Sequence, residues 1–331
     1  MSVAASLKSA LFTVLLCLSI GVNAEPQTLI FAHVVGENTP KGKMAEMFKS
    51  MVERRLGDHY RIDIYPNTQL MDDDEAPFAI AEGRIHFAAP ALSKFEQFTE
   101  RLKVYDLPFL FANMDAVDEF QRGPIGQELL THMAGEGIYG LGYLHNGMKQ
   151  LTLATPFERP EDMAGQRFRS MQSDVLVRQF ERLNAEALPM AFSQVYQALA
   201  DDVVQGQENT WSNINSQRFY DHQPYMMVSN HGVLDYMVIT PTEFWQSLPE
   251  DHRFFFEYAM DMSIKYGNAV ALAKNTNDRI EIERMSNVTV MVPTEEQLRR
   301  WQQVMEPLWN EYEAIIGKEV IDAARALQSG I

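Results

Sequence analysis

The chain has 331 residues but only one cysteine, Cys17. Residues 1–24 have the pattern of a secretory signal peptide: Lys8 supplies a positive charge, Ala10–Ile20 is a short apolar run, and Val22-Asn23-Ala24 resembles a cleavage site. Cleavage after Ala24 would remove Cys17, so the exported chain is predicted to lack a thiol. Disulfides, thiolate metal sites and cysteine nucleophiles are then excluded.

A membrane-spanning run is also missing. The apolar run in the signal peptide is shorter than the roughly 20 residues that cross a bilayer, and no later segment is apolar enough. We therefore expect an exported protein in the bacterial periplasm rather than an anchored one. Without disulfides such a protein depends on its hydrophobic core, and a chain of this length is ample for two lobes.

Positive charge is scarce. Lys and Arg number 28 against 45 Asp and Glu, so the formal net charge is −17, and loss of Lys8 with the signal peptide lowers it by one more. This excess disfavours nucleic acid and anionic membranes as partners. It does not disfavour a small anion, because a few buried cations determine the local field.

Several motifs of known chemistry are absent. Gly36–Lys43 has the wrong glycine spacing for a phosphate-binding loop, and Met44 stands where a Ser or Thr should follow. The acidic run Asp72-Asp73-Asp74-Glu75 lacks the spacing of a calcium loop and instead indicates the start of a helix. The eight histidines form no HExxH pattern, and no G-x-S-x-G elbow occurs. We expect no metal and no cofactor.

The order of apolar runs predicts an α/β protein. Strands are predicted at Thr28–Val35, Tyr60–Tyr65 and Ile85–Ala89, with helices from Pro40 and over Asp72–Glu82 between them. This alternation implies a mostly parallel sheet. A second set of elements follows Gly147, and these include strands at Leu151–Ala154, Arg167–Met171 and Gly232–Thr240 and a helix near Asp174–Leu183.

The predicted domain organisation has two lobes with a ligand cleft between them. A helical stretch from about Leu248 to Met285 is long enough to link the lobes, and Glu295–Ile316 is amphipathic. Lobe I is predicted to contain residues 25–146 plus about 235–274. Lobe II is predicted to contain residues 147–234 plus about 275–331.

Three polar residues of the second set are candidates for binding an anion. Arg169 lies two residues after Arg167 at the end of a short strand, and one of the two is expected to face the cleft, where the planar fork of an arginine matches a carboxylate. Asn209 lies in a polar and aromatic stretch, and Lys149 lies at the proposed lobe boundary. Taken singly, each is more simply explained as a surface or turn residue.

At these residues the chain closely resembles the extracytoplasmic solute receptors of TRAP (tripartite ATP-independent periplasmic) transporters, and among them the DctP group. The resemblance extends over essentially the whole exported chain. The segments that carry it are Phe31–Val35, Tyr65–Leu70, Ala91–Phe95, Asp106–Phe111, Gly147–Gln150, Gly165–Met171, Met190–Leu199 and Gly206–Asn209.

The resemblance implies a role for each matching residue. Arg169 is expected to bind the ligand carboxylate, with Asn209 orienting it and Lys149 as a second cation. Phe192 is expected to pack on the ligand, and Ser93, Lys94, His33 and Lys41 to contact it from lobe I. His231 and Glu208 are expected to lie on the side of these residues away from the ligand and to hold them in position.

The same resemblance implies a function without catalysis. The expected ligand is a four-carbon dicarboxylate such as malate, succinate or fumarate, and the expected partners are the small and large membrane subunits of the transporter. A monomer is expected. Two alternatives are a TRAP receptor for another organic acid, such as a sugar acid or 2-oxo acid, and an exported hydrolase or lyase, for which no activated nucleophile is found.

Overall fold

The computed structural model describes residues 25–330 of the chain. The predicted signal peptide, its cleavage site after Ala24 and Cys17 lie outside these residues. None of the helices within the described range is long and apolar enough to cross a membrane.

Nine strands and thirteen α-helices make up this part of the chain. The strands are β1 (Gln27–Ala32), β2 (Tyr60–Tyr65), β3 (Phe87–Ala88), β4 (Ile138–Leu153), β5 (Arg167–Ser170), β6 (Glu186–Pro189), β7 (Gly206–Asn209), β8 (Tyr225–Pro241) and β9 (Thr289–Met291). The helices are α1 (Pro40–Leu56), α2 (Ala76–Ala81), α3 (Met114–Arg122), α4 (Pro124–Thr131), α5 (Asp174–Arg182), α6 (Val195–Ala200), α7 (Trp211–Ser216), α8 (Thr242–Ser247), α9 (Glu250–Glu283), α10 (Glu295–Met305), α11 (Pro307–Glu311), α12 (Glu313–Ile316) and α13 (Lys318–Ala326).

All the strands belong to one mixed sheet with the order β2-β1-β3-β8-β4-β7-β5-β6, and β9 pairs with β8. The pairs at the two ends of the sheet are parallel, β1 with β2 and β3 in one half and β5 with β6 and β7 in the other. The two halves are joined by the long antiparallel pair of β4 and β8. The parallel pairs agree with the β-α-β order seen in the sequence.

The pairing of β4 with β8 is irregular near its middle. Register shifts occur between Gly140 and Gly142, between His145 and Gly147, and between Lys149 and Leu151. Gly147 has a φ of 146°, which disfavours any residue with a Cβ, and a Cβ there would lie 3.1 Å from the side-chain amide of Asn275. The irregular pairings mark where β4 bends from one half of the sheet to the other.

The long helix α9 has 34 residues and runs past this bend, close to the predicted stretch of about Leu248 to Met285. Asn268 accepts a hydrogen bond from the backbone of His145. Asn275, two turns further on, donates to the carbonyl of Asn146 and accepts from the backbone of Ser212 at the start of α7. The helix thus holds the bend of β4 and the start of a lobe II helix together.

The described chain has an α/β fold with two lobes. One apolar cluster around Phe48, Phe87 and Phe256 packs α1 and α9 on the first half of the sheet. Another around Val195, Trp211 and Phe219 lies in the second half. The largest cluster extends from Phe95 through Phe168 to the C-terminal helices.

The C-terminal helices contact both halves of the molecule. Trp309 donates to the carbonyl of Pro108 and Gln328 donates to the carbonyls of Phe109 and Leu110, whereas Arg178 of α5 pairs with Glu311. The lobe boundaries at residues 146, 234 and 274 remain a prediction, and the C-terminal segment contacts residues of both predicted lobes.

Candidate functional site

A small cavity lies between the two halves of the sheet, with a volume of about 30 Å³. It is lined by Val34, Val35, Asp73, Ala91, Lys94, Lys149, Arg169, Met171, Phe192, Glu208, Asn209, Asn213, Leu234 and Tyr236. Six of these were expected from the sequence, and they come from strands and loops of both predicted lobes. Since one enclosed water needs about 10–15 Å³, the cavity in this conformation has room for about two or three waters.

Arg169 is the central cation of this cavity. It is 2% exposed, and its Nε and Nη2 donate to the carbonyl of Met190 at 3.2 and 2.9 Å. Burial lowers its pKa to about 10, although the charges of Glu208 and the nearby aspartates oppose the change. Among residues 25–330 no carboxylate forms a salt bridge with it. A buried cation without an anion is costly, and a ligand carboxylate would relieve that cost.

Lys149, by contrast, has a partner. Its Nζ lies 2.5 Å from Oε1 of Glu208, and the other oxygen of Glu208 is bonded to Nε2 of His231 at 2.7 Å and to the amide of Gln179 at 2.8 Å. Burial would raise the pKa of Glu208, but the charge of Lys149 and the bond from His231 outweigh it and lower that pKa. Glu208 therefore holds Lys149 in position, and His231 and Gln179 hold Glu208.

The lobe I lysines are paired with the acidic run. Lys94 pairs with Asp74, and Nζ of Lys41 lies 3.6 Å from Asp73 and 3.7 Å from the ring centroid of Tyr236. Burial lowers the pKa of Lys41, and Asp73 opposes this shift. Lys94 lines the cavity itself. Lys41 contacts it only through Asp73 and Tyr236.

Asn209 and Phe192 occupy the lobe II wall. The Oδ1 of Asn209 accepts from Nδ2 of Asn213 at 2.8 Å and from the backbone of Thr210, which fixes the orientation of the amide. Phe192 packs edge to face on Phe219. One residue thus supplies an oriented amide, and the other an apolar surface.

Besides Lys41, two further expected contacts do not line the cavity. Ser93 donates to the sulfur of Met171 at 3.4 Å and faces a neighbouring cavity. His33 is 3% exposed, and the residues after it, Val34 and Val35, line the cavity instead. Burial, with a smaller effect of Lys41, lowers the pKa of His33 to about 3, so the ring is neutral. Of the expected contacts, the structure therefore places Ser93, His33 and Lys41 outside the lining of the cavity.

Several lining residues were not predicted to take part. Asp73 had been assigned to the start of a helix, but α2 begins only at Ala76, which leaves its carboxylate free to meet Lys41. Tyr236 accepts a hydrogen bond from Asn146 at 2.7 Å and carries Lys41 over its ring. The acidic run Asp72–Glu75 marks Asp73 in the sequence, whereas nothing in the sequence distinguishes Tyr236, a single tyrosine within a strand.

A larger cavity, of about 640 Å³, lies along α9 at the bend of β4. Its lining carries the acids Asp115, Asp118 and Glu283, and its arginine, Arg279, is paired with Glu283 at 2.7 Å. This cavity presents more carboxylates than cations, so an anion is better accommodated beside Arg169. Within the described residues no group of acids, histidines or cysteines is arranged to hold a metal ion.

The sequence profile of DctP, the bacterial extracellular solute-binding proteins of family 7, matches residues 31–315. The chain belongs to the DctP family. The C4-dicarboxylate-binding periplasmic protein DctP of Shewanella loihica is 47% identical to it over 314 residues, which cover 94% of this chain and 93% of that protein. The family predicted from the sequence is thereby confirmed.

Solved structures of this family have the same fold. A TRAP periplasmic solute-binding protein of Shewanella oneidensis with bound succinate superposes with a TM-score of 0.90 at 47% identity, covering 92% of this chain and all of that one. A TRAP periplasmic solute-binding protein of Pseudomonas aeruginosa with bound L-malate gives 0.84 at 39% identity, covering 87% and 100%. The two-lobed periplasmic binding protein fold is confirmed. As a DctP-family member the chain is a solute-binding receptor and not an enzyme.

Proposed function

We propose that this protein is the periplasmic receptor of a TRAP transporter for four-carbon dicarboxylates such as succinate, malate and fumarate. The observation that carries the proposal is Arg169, a buried arginine in the cavity between the lobes that has no carboxylate partner among the described residues. A ligand carboxylate would supply the missing anion in the bidentate geometry that an arginine favours. The relatives named above support the choice of diacid.

The second carboxylate has less obvious partners. Lys149 and Lys94 are both paired with protein carboxylates, so neither is a free cation waiting for a ligand. Lys94 is the better candidate because its partner Asp74 is half-buried, whereas Glu208 is held by three groups. We infer that Lys94 shares its charge between Asp74 and the distal ligand carboxylate.

In the proposed mechanism, Arg169 and Asn209 hold the ligand on lobe II while Lys94 approaches from lobe I. Closing the lobes removes water from the cavity and strengthens these charge interactions, because the local dielectric constant falls. The ligand favours the closed form only to the extent that it binds that form more tightly. The closed receptor, a monomer in this proposal, is then recognised by the small and large membrane subunits.

Export to the periplasm is part of the same proposal. It rests on the pattern of residues 1–24, which predicts cleavage after Ala24. N-terminal sequencing of the protein recovered from periplasmic extract would test the cleavage site.

The ligand is tested by thermal unfolding of the purified receptor with a panel of monocarboxylates, four-carbon dicarboxylates, sugar acids and 2-oxo acids. A true ligand at a hundred times its dissociation constant stabilises the folded state by about 2.7 kcal/mol. We expect succinate, malate or fumarate to give the largest rise in melting temperature. A rise with a sugar acid and none with any dicarboxylate would refute the ligand assignment.

A further inference from the structure

The acidic run that precedes α2 makes three different contacts. Asp73 meets Lys41, Asp74 meets Lys94, and Oδ2 of Asp72 accepts a hydrogen bond from Oγ of Ser193 at 2.6 Å. The first two contacts stay within predicted lobe I. The third joins lobe I to lobe II, because Ser193 follows Phe192 on the opposite wall of the cavity.

We propose that the hydrogen bond between Ser193 and Asp72 is a latch that holds the lobes closed over the ligand, an inference that rests on the receptor function proposed above. The neighbours of the two residues, Asp73 and Phe192, both line the cavity. The bond therefore lies at the rim of the cleft. Because its two ends belong to different lobes, it forms only when the lobes have closed.

The latch predicts a kinetic effect that is confined to one step. A ligand enters while the cleft is open and the bond is absent, so its association rate does not depend on the latch. It leaves only after the cleft reopens, so its dissociation rate does. A hydrogen bond with a net stabilisation of about 0.5–1.5 kcal/mol changes that rate roughly 2- to 10-fold.

Charge alone predicts the opposite result at Asp72. A carboxylate near an anion site repels the ligand, and Asp72 is close enough to Arg169 to affect its pKa. If Asp72 acted only by charge, removing it would slow dissociation. Asp72→Asn removes the charge but keeps an oxygen acceptor for Ser193, whereas Asp72→Ala removes both. The two variants therefore separate the two effects.

The test is a double-mutant cycle of Asp72→Ala and Ser193→Ala, with dissociation of the bound diacid followed by stopped-flow tryptophan fluorescence. We expect Ser193→Ala to raise the dissociation rate about 2- to 10-fold with an unchanged association rate. In the Asp72→Ala background the same substitution should have no further effect, and in the Asp72→Asn background it should still raise the rate. Ser247→Ala, an exposed serine on α8, is the matched control.

Independent effects of the two alanine substitutions, or a change in association rate alone, would overturn the latch. The measurement uses whichever acid the thermal panel identifies, so a ligand other than a four-carbon dicarboxylate would refute the proposed ligand and still leave the latch testable. The variants are substitutions at an exposed serine and a half-buried aspartate, and their unfolding curves without ligand should match that of the parent protein.

Discussion

Lys149 and Glu208 form a fully buried ion pair, with 2.5 Å between Nζ and Oε1. The sequence alone presents Lys149 as a free second cation for the ligand, and the pair changes that interpretation. Its charge is already balanced inside the protein, and the same holds for Lys94 through Asp74. Of these three lining cations, Arg169 is the one without a salt bridge in the range 25–330, so the ligand's strongest single contact is expected there.

The first prediction concerns Arg169. Arg169→Ala should weaken binding of the diacid roughly 30-fold or more, because losing one partner of a buried charged hydrogen bond costs about 2–5 kcal/mol. Calorimetric titration measures the affinity. Arg167→Ala is the control, since that side chain does not line the cavity and donates instead to the carbonyls of Asp202 and Val203. Equal losses in the two variants would show that the site lies elsewhere.

The second prediction concerns the buried pair. Lys149→Met or Glu208→Gln should destabilise the ligand-free protein by about 3–5 kcal/mol, because each leaves one buried charge without its partner. Changing both together should cost less than the sum of the single changes. Urea unfolding provides the measurement. Arg299→Ala, which removes an exposed pair with Glu295, should change stability by less than about 1 kcal/mol. Small losses from both single changes would contradict the role assigned to the pair.

The third prediction is a pH dependence that originates at His33. Its pKa is lowered to about 3 in the folded protein, whereas the ordinary value is 6.5. Between these values the unfolded chain binds a proton that the folded chain does not, so stability falls as the pH is lowered through this range. From pH 7 to pH 5 the loss due to His33 is about 2 kcal/mol.

His33→Phe should remove that loss, because phenylalanine does not titrate. The comparison is the change in unfolding free energy between pH 7 and pH 5 in the variant and in the parent. Burial raises the pKa of Asp106 to about 6, which acts in the opposite direction, but this contribution is common to both proteins and cancels. Identical pH dependences would refute the prediction. Since His33 does not line the cavity, ligand affinity should change less than about tenfold.

The fourth prediction concerns the bend of β4. Gly147→Ala should destabilise the protein by about 1–3 kcal/mol, because alanine is strained at a φ of 146° and its Cβ would meet Asn275. Gly135→Ala is the matched control: a Cβ there meets nothing within 4 Å, and its φ is not in the left-handed region. Thermal unfolding measures both. Equal stability of the two variants would show that the bend relaxes without strain.

Local patterns predicted much of the fold. β2, β5 and α5 end within a residue of their predicted limits, because apolar alternation and helix-start residues are encoded within each segment. The predicted helix Glu295–Ile316 is three helices, broken by Pro307 and at Tyr312. Proline disrupts a helix interior because its ring clashes with the preceding turn.

Features that depend on distant partners were not predictable. Only the last residues of β4 were expected to form a strand, because the part before them contains Gly140, Gly142 and Gly147 and is stabilised by pairing with β8, about ninety residues away. The site follows the same rule. The sequence predicted that Lys149, Lys94 and Arg169 lie near the ligand, but which of them already has a carboxylate depends on side chains brought together by folding.

The two strands that join the lobes also affect what the measured affinity means. β4 and β8 are continuous and hydrogen-bonded to each other from one predicted lobe to the other. The lobes are therefore not joined by flexible linkers that would let them separate freely. Opening must twist the shared ribbon, chiefly at its irregular pairings, while α9 resists along its length. The β4–β8 ribbon then sets a preferred angle between the lobes. Part of the binding free energy is used to move the lobes away from that angle. Two receptors with identical pockets would differ in affinity if their ribbons differed in stiffness.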